Sequence, residues 1–173
     1  MNNSDFFDDA LLEKRIETFY GYGNYQGKYW FIGMEEAGGD FQDVNHRINI
    51  WANRGKKEIE LHHWIYGQYS HIAYLRSRQT YEDYYLDMRI NHIANRIREH
   101  KPKGVIFYGK LYEYYWRKIT EKITSNDFEL TSQGFLICRD SQTVFVIAKH
   151  PVAFGVTNEY FYSIGRAIAA NQA

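Results

Sequence analysis

Apolar positions change their period several times along this chain, and the changes mark a succession of helices and strands. Phe7, Leu11, Leu12, Ile16, Phe19 and Tyr20 recur at helical spacing. Ser4 is a candidate cap for that helix, and Asp5, Asp8 and Asp9 suit its positive end. Gly21, Gly23 and Gly27 interrupt the pattern, and Lys28 to Ile32 then reads as a first buried strand. A helix is predicted over 42 to 52, with Val44, Ile48 and Trp51 on one side. Neither period holds between 53 and 80, a stretch with Gly55, Gly67, the pair His62-His63 and several tyrosines.

Leu86, Ile90, Ile93 and Ile97 repeat at spacings of four, three and four, which predicts a long helix over 81 to 100, ended by Pro102. Val105 to Tyr108 is a short buried strand turned by Gly109, and Leu111, Tyr115, Ile119 and Ile123 make the next helix. Gly134 to Cys138 and Thr143 to Lys149 are two strands joined through Arg139 to Gln142 as a hairpin. Thr157 caps a last helix that turns Phe161, Ile164 and Ile168 inward. This order predicts an α/β protein, a three-layer α/β/α sandwich with a mostly parallel central sheet. The hairpin would supply an antiparallel edge strand. The 173 residues fit a single domain over 1–173, and with two prolines in all there is no proline-rich linker to divide it.

Composition narrows the chemistry. Net charge is zero, with 21 basic and 21 acidic residues, which argues against a nonspecific nucleic-acid coat and leaves room for a local basic groove. Arg54, Lys56 and Lys57 form one basic cluster, and Arg89, Arg96, Arg98, Lys101 and Lys103 another; each is either a phosphate contact or a solvated face. Sixteen tyrosines and eleven phenylalanines serve an aromatic core or base stacking. Cys138 is the only cysteine, so an intrachain disulfide, an iron–sulfur cluster and a thiolate zinc site are excluded. It follows Phe135-Leu136-Ile137 and reads as a buried thiol. No H-E-x-x-H spacing is present, and neither metal nor cofactor is expected. The acidic start MNNSDFFDDALLEKR has no long apolar stretch, and no segment approaches the ~18 apolar residues of a membrane span. The expected location is the cytoplasm, with no membrane partner.

Two motifs carry the remaining information. Gly33-Met34-Glu35-Glu36-Ala37-Gly38-Gly39 follows the run Tyr29 to Ile32, and His150-Pro151 follows Val144 to Ala148. Ligands of open α/β sheets bind at the carboxyl ends of strands, where both motifs fall. The first is not a dinucleotide fingerprint, because position 35 is glutamate, and Gly104 to Lys110 lacks the spacing of a P-loop. Gly33 permits a sharp exit from the strand, while Gly38 and Gly39 permit close approach of backbone amides to a phosphate or a base carbonyl. Glu35 and Glu36 place two carboxylates beside that turn, as a catalytic pair or as an ordinary acidic loop leading to a helix. Pro151 biases His150 away from helical geometry, which presents the imidazole at the sheet edge.

The ordered set of motifs resembles the uracil-DNA glycosylase superfamily, in a cluster-free, divergent branch. In that superfamily the first strand ends in a turn of the form G-x-D-P, G-x-N-P-G or G-E-A-P-G, and a late motif begins H-P-S after a strand. Glu35 stands at the third position of the first form, and Glu36-Ala37-Gly38 is similar to E-A-P-G without its proline. The late motif reads His150-Pro151-Val152, with serine absent, and Val105 to Lys110 resembles the central strand and following helix. The likeness covers most of residues 28 to 168. It implies a DNA glycosylase of base-excision repair that flips a uracil, damaged or modified base and hydrolyses its N-glycosidic bond. Glu35 would serve the sugar cation and the attacking water, and His150 would donate to the departing base. Gly33, Met34, Glu36, Gly38, Gly39, Phe41 and Pro151 would line the substrate, with Phe41 a stacking surface or a core aromatic. Two rivals use the same scaffold: a non-catalytic nucleic-acid or nucleotide-binding protein, and a nucleoside deoxyribosyltransferase or hydrolase.

Overall fold

Changes of hydrophobic period become element boundaries in the computed structural model, which describes residues 8–18, 24–34, 42, 45–46, 48–49, 72 and 77–170. The elements in chain order are α1 (Asp9–Thr18), β1 (Tyr29–Ile32), α2 (Arg78–His100), β2 (Gly104–Tyr108), a 3-10 turn (Lys110–Tyr112), α3 (Glu113–Glu121), β3 (Glu129–Leu130), β4 (Leu136–Arg139), β5 (Val144–Ala148) and α4 (Asn158–Ala169). The chain divides into two units, Met1–Asn24 with Glu35–Arg89, and Tyr25–Met34 with Ile90–Ala173.

In the first unit α1 begins where Asp8 accepts a hydrogen bond from the Leu11 amide at 3.1 Å, satisfying one of the free N–H groups of the first turn. Ser4, the sequence-based candidate cap, lies outside the described residues. Leu12 and Ile16 are fully buried. Gln42, Asn45, His46, Ile48 and Asn49 are helical, with Ile48 buried, in accord with the helix predicted over 42 to 52; Val44 and Trp51 lie outside the described residues. α2 starts three residues earlier than its apolar repeat predicts, because the Ser77 hydroxyl accepts from the Thr80 amide at 3.1 Å and so opens the helix at Arg78. Arg89 is buried and donates to the Ile16 carbonyl.

The second unit holds a five-stranded mixed sheet in the order β1-β2-β5-β4-β3. β1, β2 and β5 are parallel, with Ile32 opposite Phe107 and Tyr108 opposite Ala148. β4 runs antiparallel to β5, the hairpin expected from residues 139–142, and is closed by the Asp140 amide on the Thr143 carbonyl at 3.0 Å. β3 was not legible in the sequence; it has two residues, both exposed, and is antiparallel to β4. Alternation of side chains across the sheet divides the core. Ile106, Val144, Val146 and Ala148 meet Ile164 and Ile168 of α4. On the opposite face Phe107 stacks on Trp116 of α3, with ring centroids 5.1 Å apart.

Two details differ from the sequence reading. β1 is half-buried rather than buried: Trp30 and Ile32 face inward, while Phe31 is 63% exposed. The physical reason is position, since β1 pairs only with β2 among the described strands and the α4 core cluster includes no β1 residue. Leu111 is 96% exposed instead of core-facing, because the chain makes a 3-10 turn before α3 and Trp116 takes the inward position. α2 ends at His100, before Pro102 as expected; Lys101 follows with φ 48, and its amide closes on the Ile97 carbonyl at 2.8 Å. Pro102 follows, and its carbonyl accepts from the buried Thr143 hydroxyl at 2.7 Å. No helix of the described residues is long and apolar enough to cross a membrane.

Cys138 is buried and donates to the Asn126 carbonyl at 3.3 Å. Burial, aided by the Asp140 and Asp127 carboxylates, pushes its thiol from 9.0 up to about 11. The folded state therefore keeps the proton that the unfolded state releases first. The stability tied to this proton is intact below pH 9.0 and is lost as pH rises through about 11. Urea midpoints measured across that window will fall, and Cys138→Ala will remove this part of the decline. The Thr157 hydroxyl accepts from the Tyr160 amide at 3.3 Å and caps α4 as expected. Thr157→Ala will cost about 1 kcal/mol in chemical denaturation.

Candidate functional site

Parallel strands leave a sheet by the same edge, so β1, β2 and β5 deliver Gly33, Gly109 and the Lys149-His150 pair to one side of the second unit. Gly109 has φ 99, a left-handed conformation that favours glycine. Its amide donates to the Ala148 carbonyl at 3.0 Å, and its carbonyl accepts from the Trp116 indole at 3.1 Å. The end of β2 is thereby tied to the end of β5 and to α3.

Gly33 is required for a different reason. A Cβ at this position would stand 2.8 Å from Cε2 of Tyr108 and 3.0 Å from its hydroxyl oxygen. The same Tyr108 ring meets the His150 imidazole edge-on, with centroids 5.5 Å apart and planes at 78°. Tyr108 thus touches both turns that the sequence singled out. Met34 is buried behind the first turn. Glu35, Glu36, Gly38, Gly39 and Phe41 lie outside the described residues, as do His62-His63 and the cluster Arg54, Lys56 and Lys57.

His150 is exposed, as is Pro151 after it. Its carbonyl accepts from the Ala153 amide at 2.9 Å, and its Nδ1 accepts from the Val152 amide at 3.4 Å. An imidazole that accepts through Nδ1 carries its proton on Nε2 when neutral, which makes Nε2 the donor. Upstream, the Lys149 amide donates to the Tyr160 hydroxyl at 3.0 Å and pins the turn to α4. Burial pushes the Tyr160 phenol up from its ordinary range, so it stays protonated.

Beside His150 lies a cavity of about 370 Å³, bordered by Lys110, Tyr112, Lys149 and Ala153. Its Lys110 ammonium donates to the Gly134 carbonyl at 3.1 Å. Leu111, Val152 and Phe154 stand almost wholly exposed on the two turns that frame it. Among the described residues, the basic side chains that border this cavity are Lys110 and Lys149, and none comes from the sequence cluster that begins at Arg89. Arg89 is buried, Arg96 sits 5.7 Å over the Tyr25 ring, and Arg98 is engaged by Asn95 at 2.6 Å. Among the described residues no group of three His, Cys, Asp or Glu is placed to hold a metal.

Tyr108 is the site residue that sequence reasoning missed. It was read as the end of a strand, and its one local signal is a large aromatic directly before the Gly109 turn. Gly33→Ala forces a methyl group onto the Tyr108 ring, and such overpacking costs about 1–3 kcal/mol; thermal unfolding will register the loss. No protein-family model matches the chain, and neither a curated protein nor a solved structure does.

Proposed function

We propose that this protein is a DNA glycosylase acting in the cytoplasm, which hydrolyses the N-glycosidic bond of a flipped uracil, damaged or modified base. The observation that carries the reading is the convergence of Gly33 and His150 on one sheet edge, joined by their shared contact with Tyr108. The resemblance to the uracil-DNA glycosylase superfamily requires those two turns to face one substrate. A three-layer sandwich is the architecture this implies for the whole chain.

Cleavage of the bond leaves positive charge on the sugar and negative charge on the base. In this reading Glu35, two residues beyond Gly33, stabilises the sugar cation and directs the attacking water. His150 Nε2–H donates to a base oxygen as charge builds there, without needing to give up its proton. The exposed Leu111, Val152 and Phe154 suit a polymeric substrate: apolar wedges of this kind unstack bases and hold a duplex open. Lys110 and Lys149 beside them suit backbone phosphates. No metal or cofactor enters the chemistry.

The zero net charge favours one competitor, an enzyme of free nucleosides that needs no phosphate groove. A panel of single- and double-stranded oligonucleotides carrying uracil, damaged and modified bases separates the two, with abasic sites read by alkali cleavage. Activity is expected on at least one substrate. His150→Ala will lower it by about a hundredfold, and Glu35→Gln will reduce it at least as far. Free-base release from nucleosides with none from DNA would establish the competitor, and DNA binding without any abasic product would establish a binding protein. Phe154→Ser will weaken action on duplex DNA more than on single strands, as measured by kcat/KM on matched substrates.

A further inference from the structure

His150 sits on an exposed turn, and its one side-chain hydrogen bond among the described residues, from the Val152 amide, is long at 3.4 Å. Such a bond orients an imidazole weakly. A donor aimed at a developing charge has to be held before the reaction begins, so a second contact is needed. Tyr108 supplies it. The pairing of Ile32 with Phe107 places Gly33 level with Tyr108, and the pairing of Tyr108 with Ala148 places His150 two residues beyond. Across Gly33 there is no side chain, and the phenol occupies the room this leaves, with ring atoms 2.8–3.0 Å from where a Cβ would stand. From there its ring meets the imidazole edge-on. Gly33 is thus the socket for the ring, and the ring is the stop for the histidine.

We infer that Tyr108 is a positioning residue, which fixes the orientation of the His150 imidazole through its ring and not through its hydroxyl. The catalytic meaning of this rests on the glycosylase reading; the geometric claim does not. An edge-to-face contact biases orientation by about two- to tenfold. Loss of the ring should therefore lower kcat by about that factor and leave KM within about twofold.

The test uses the full chain with histidine isotopically labelled, the His150 signals being assigned by their loss in His150→Ala. The native protein should show nuclear Overhauser contacts between the Tyr108 and His150 rings, with the His150 ring protons displaced by the tyrosine ring current from their positions in Tyr108→Leu. Tyr108→Phe should keep the shift and, on a cleaved oligonucleotide, the native kcat. Tyr108→Leu should lose both, with KM retained. Absence of the ring contacts in the native protein overturns the inference, and that measurement stands even if Tyr108→Leu fails to fold. So does a Tyr108→Phe variant as impaired as Tyr108→Leu, which would assign the role to the hydroxyl. If the native protein cleaves no substrate while the ring contact is present, the glycosylase reading falls and the positioning geometry survives.

Discussion

Parallel pairing on both sides of β2 is the constraint from which the candidate site follows. A parallel ladder sends every strand out through the same edge, so turns far apart in sequence become neighbours without any direct bond between them. β1 brings Gly33, β2 brings Tyr108 and Gly109, and β5 brings His150. Had β5 paired antiparallel to β2, its carboxyl end and the histidine would lie at the other edge. The antiparallel strands β4 and β3 are added beyond β5, where they extend the sheet without disturbing this convergence.

The support beneath the edge is dry while the edge itself is wet. Phe107, Trp116 and Phe145 stack in the interior, and Ile164 and Ile168 close the opposite face. Polar groups that hold the turns are satisfied by specific partners: the Gly109 carbonyl by Trp116 and the Lys149 amide by Tyr160. Orphaned, any of these buried or half-buried groups would cost its desolvation. Such bonds fix the backbone of the turns and leave the imidazole outside, where a substrate can reach it.

What the sequence revealed was what is local. Thr157 caps α4 because a hydroxyl and an amide three residues on suffice; the 139–142 hairpin and the Gly109 turn follow from short-range chemistry of the same kind. The residues that escaped are those whose surroundings are set by distant chain. Phe31 reads as core until β1 proves to have, among the described residues, a strand on only one side. Leu111 fits a helical stripe until the 3-10 turn shifts the inward position to Trp116. Arg89 reads as a surface cation and is instead a buried donor to a carbonyl of α1. Tyr108 could not be singled out from its neighbours, because Gly33 and His150, which it touches, lie in the turns after two other strands. Of the candidate site, Gly33 and His150 were found at the expected strand ends, and the carboxylates between Gly33 and Phe41 fall outside the described residues.

The two sides of the site also differ in how much chain must be closed to make them. β4 and β5 join through residues 140–143, whereas residues 33–103 separate β1 from β2. Loop-closure entropy grows with the intervening length, though slowly. The histidine is therefore built on a local hairpin, and the glycine turn on the most distant pairing in the sheet. By this entropy alone, a few residues more or fewer between the two strands change the closure cost little, and the strand that bears Gly33 can keep its register.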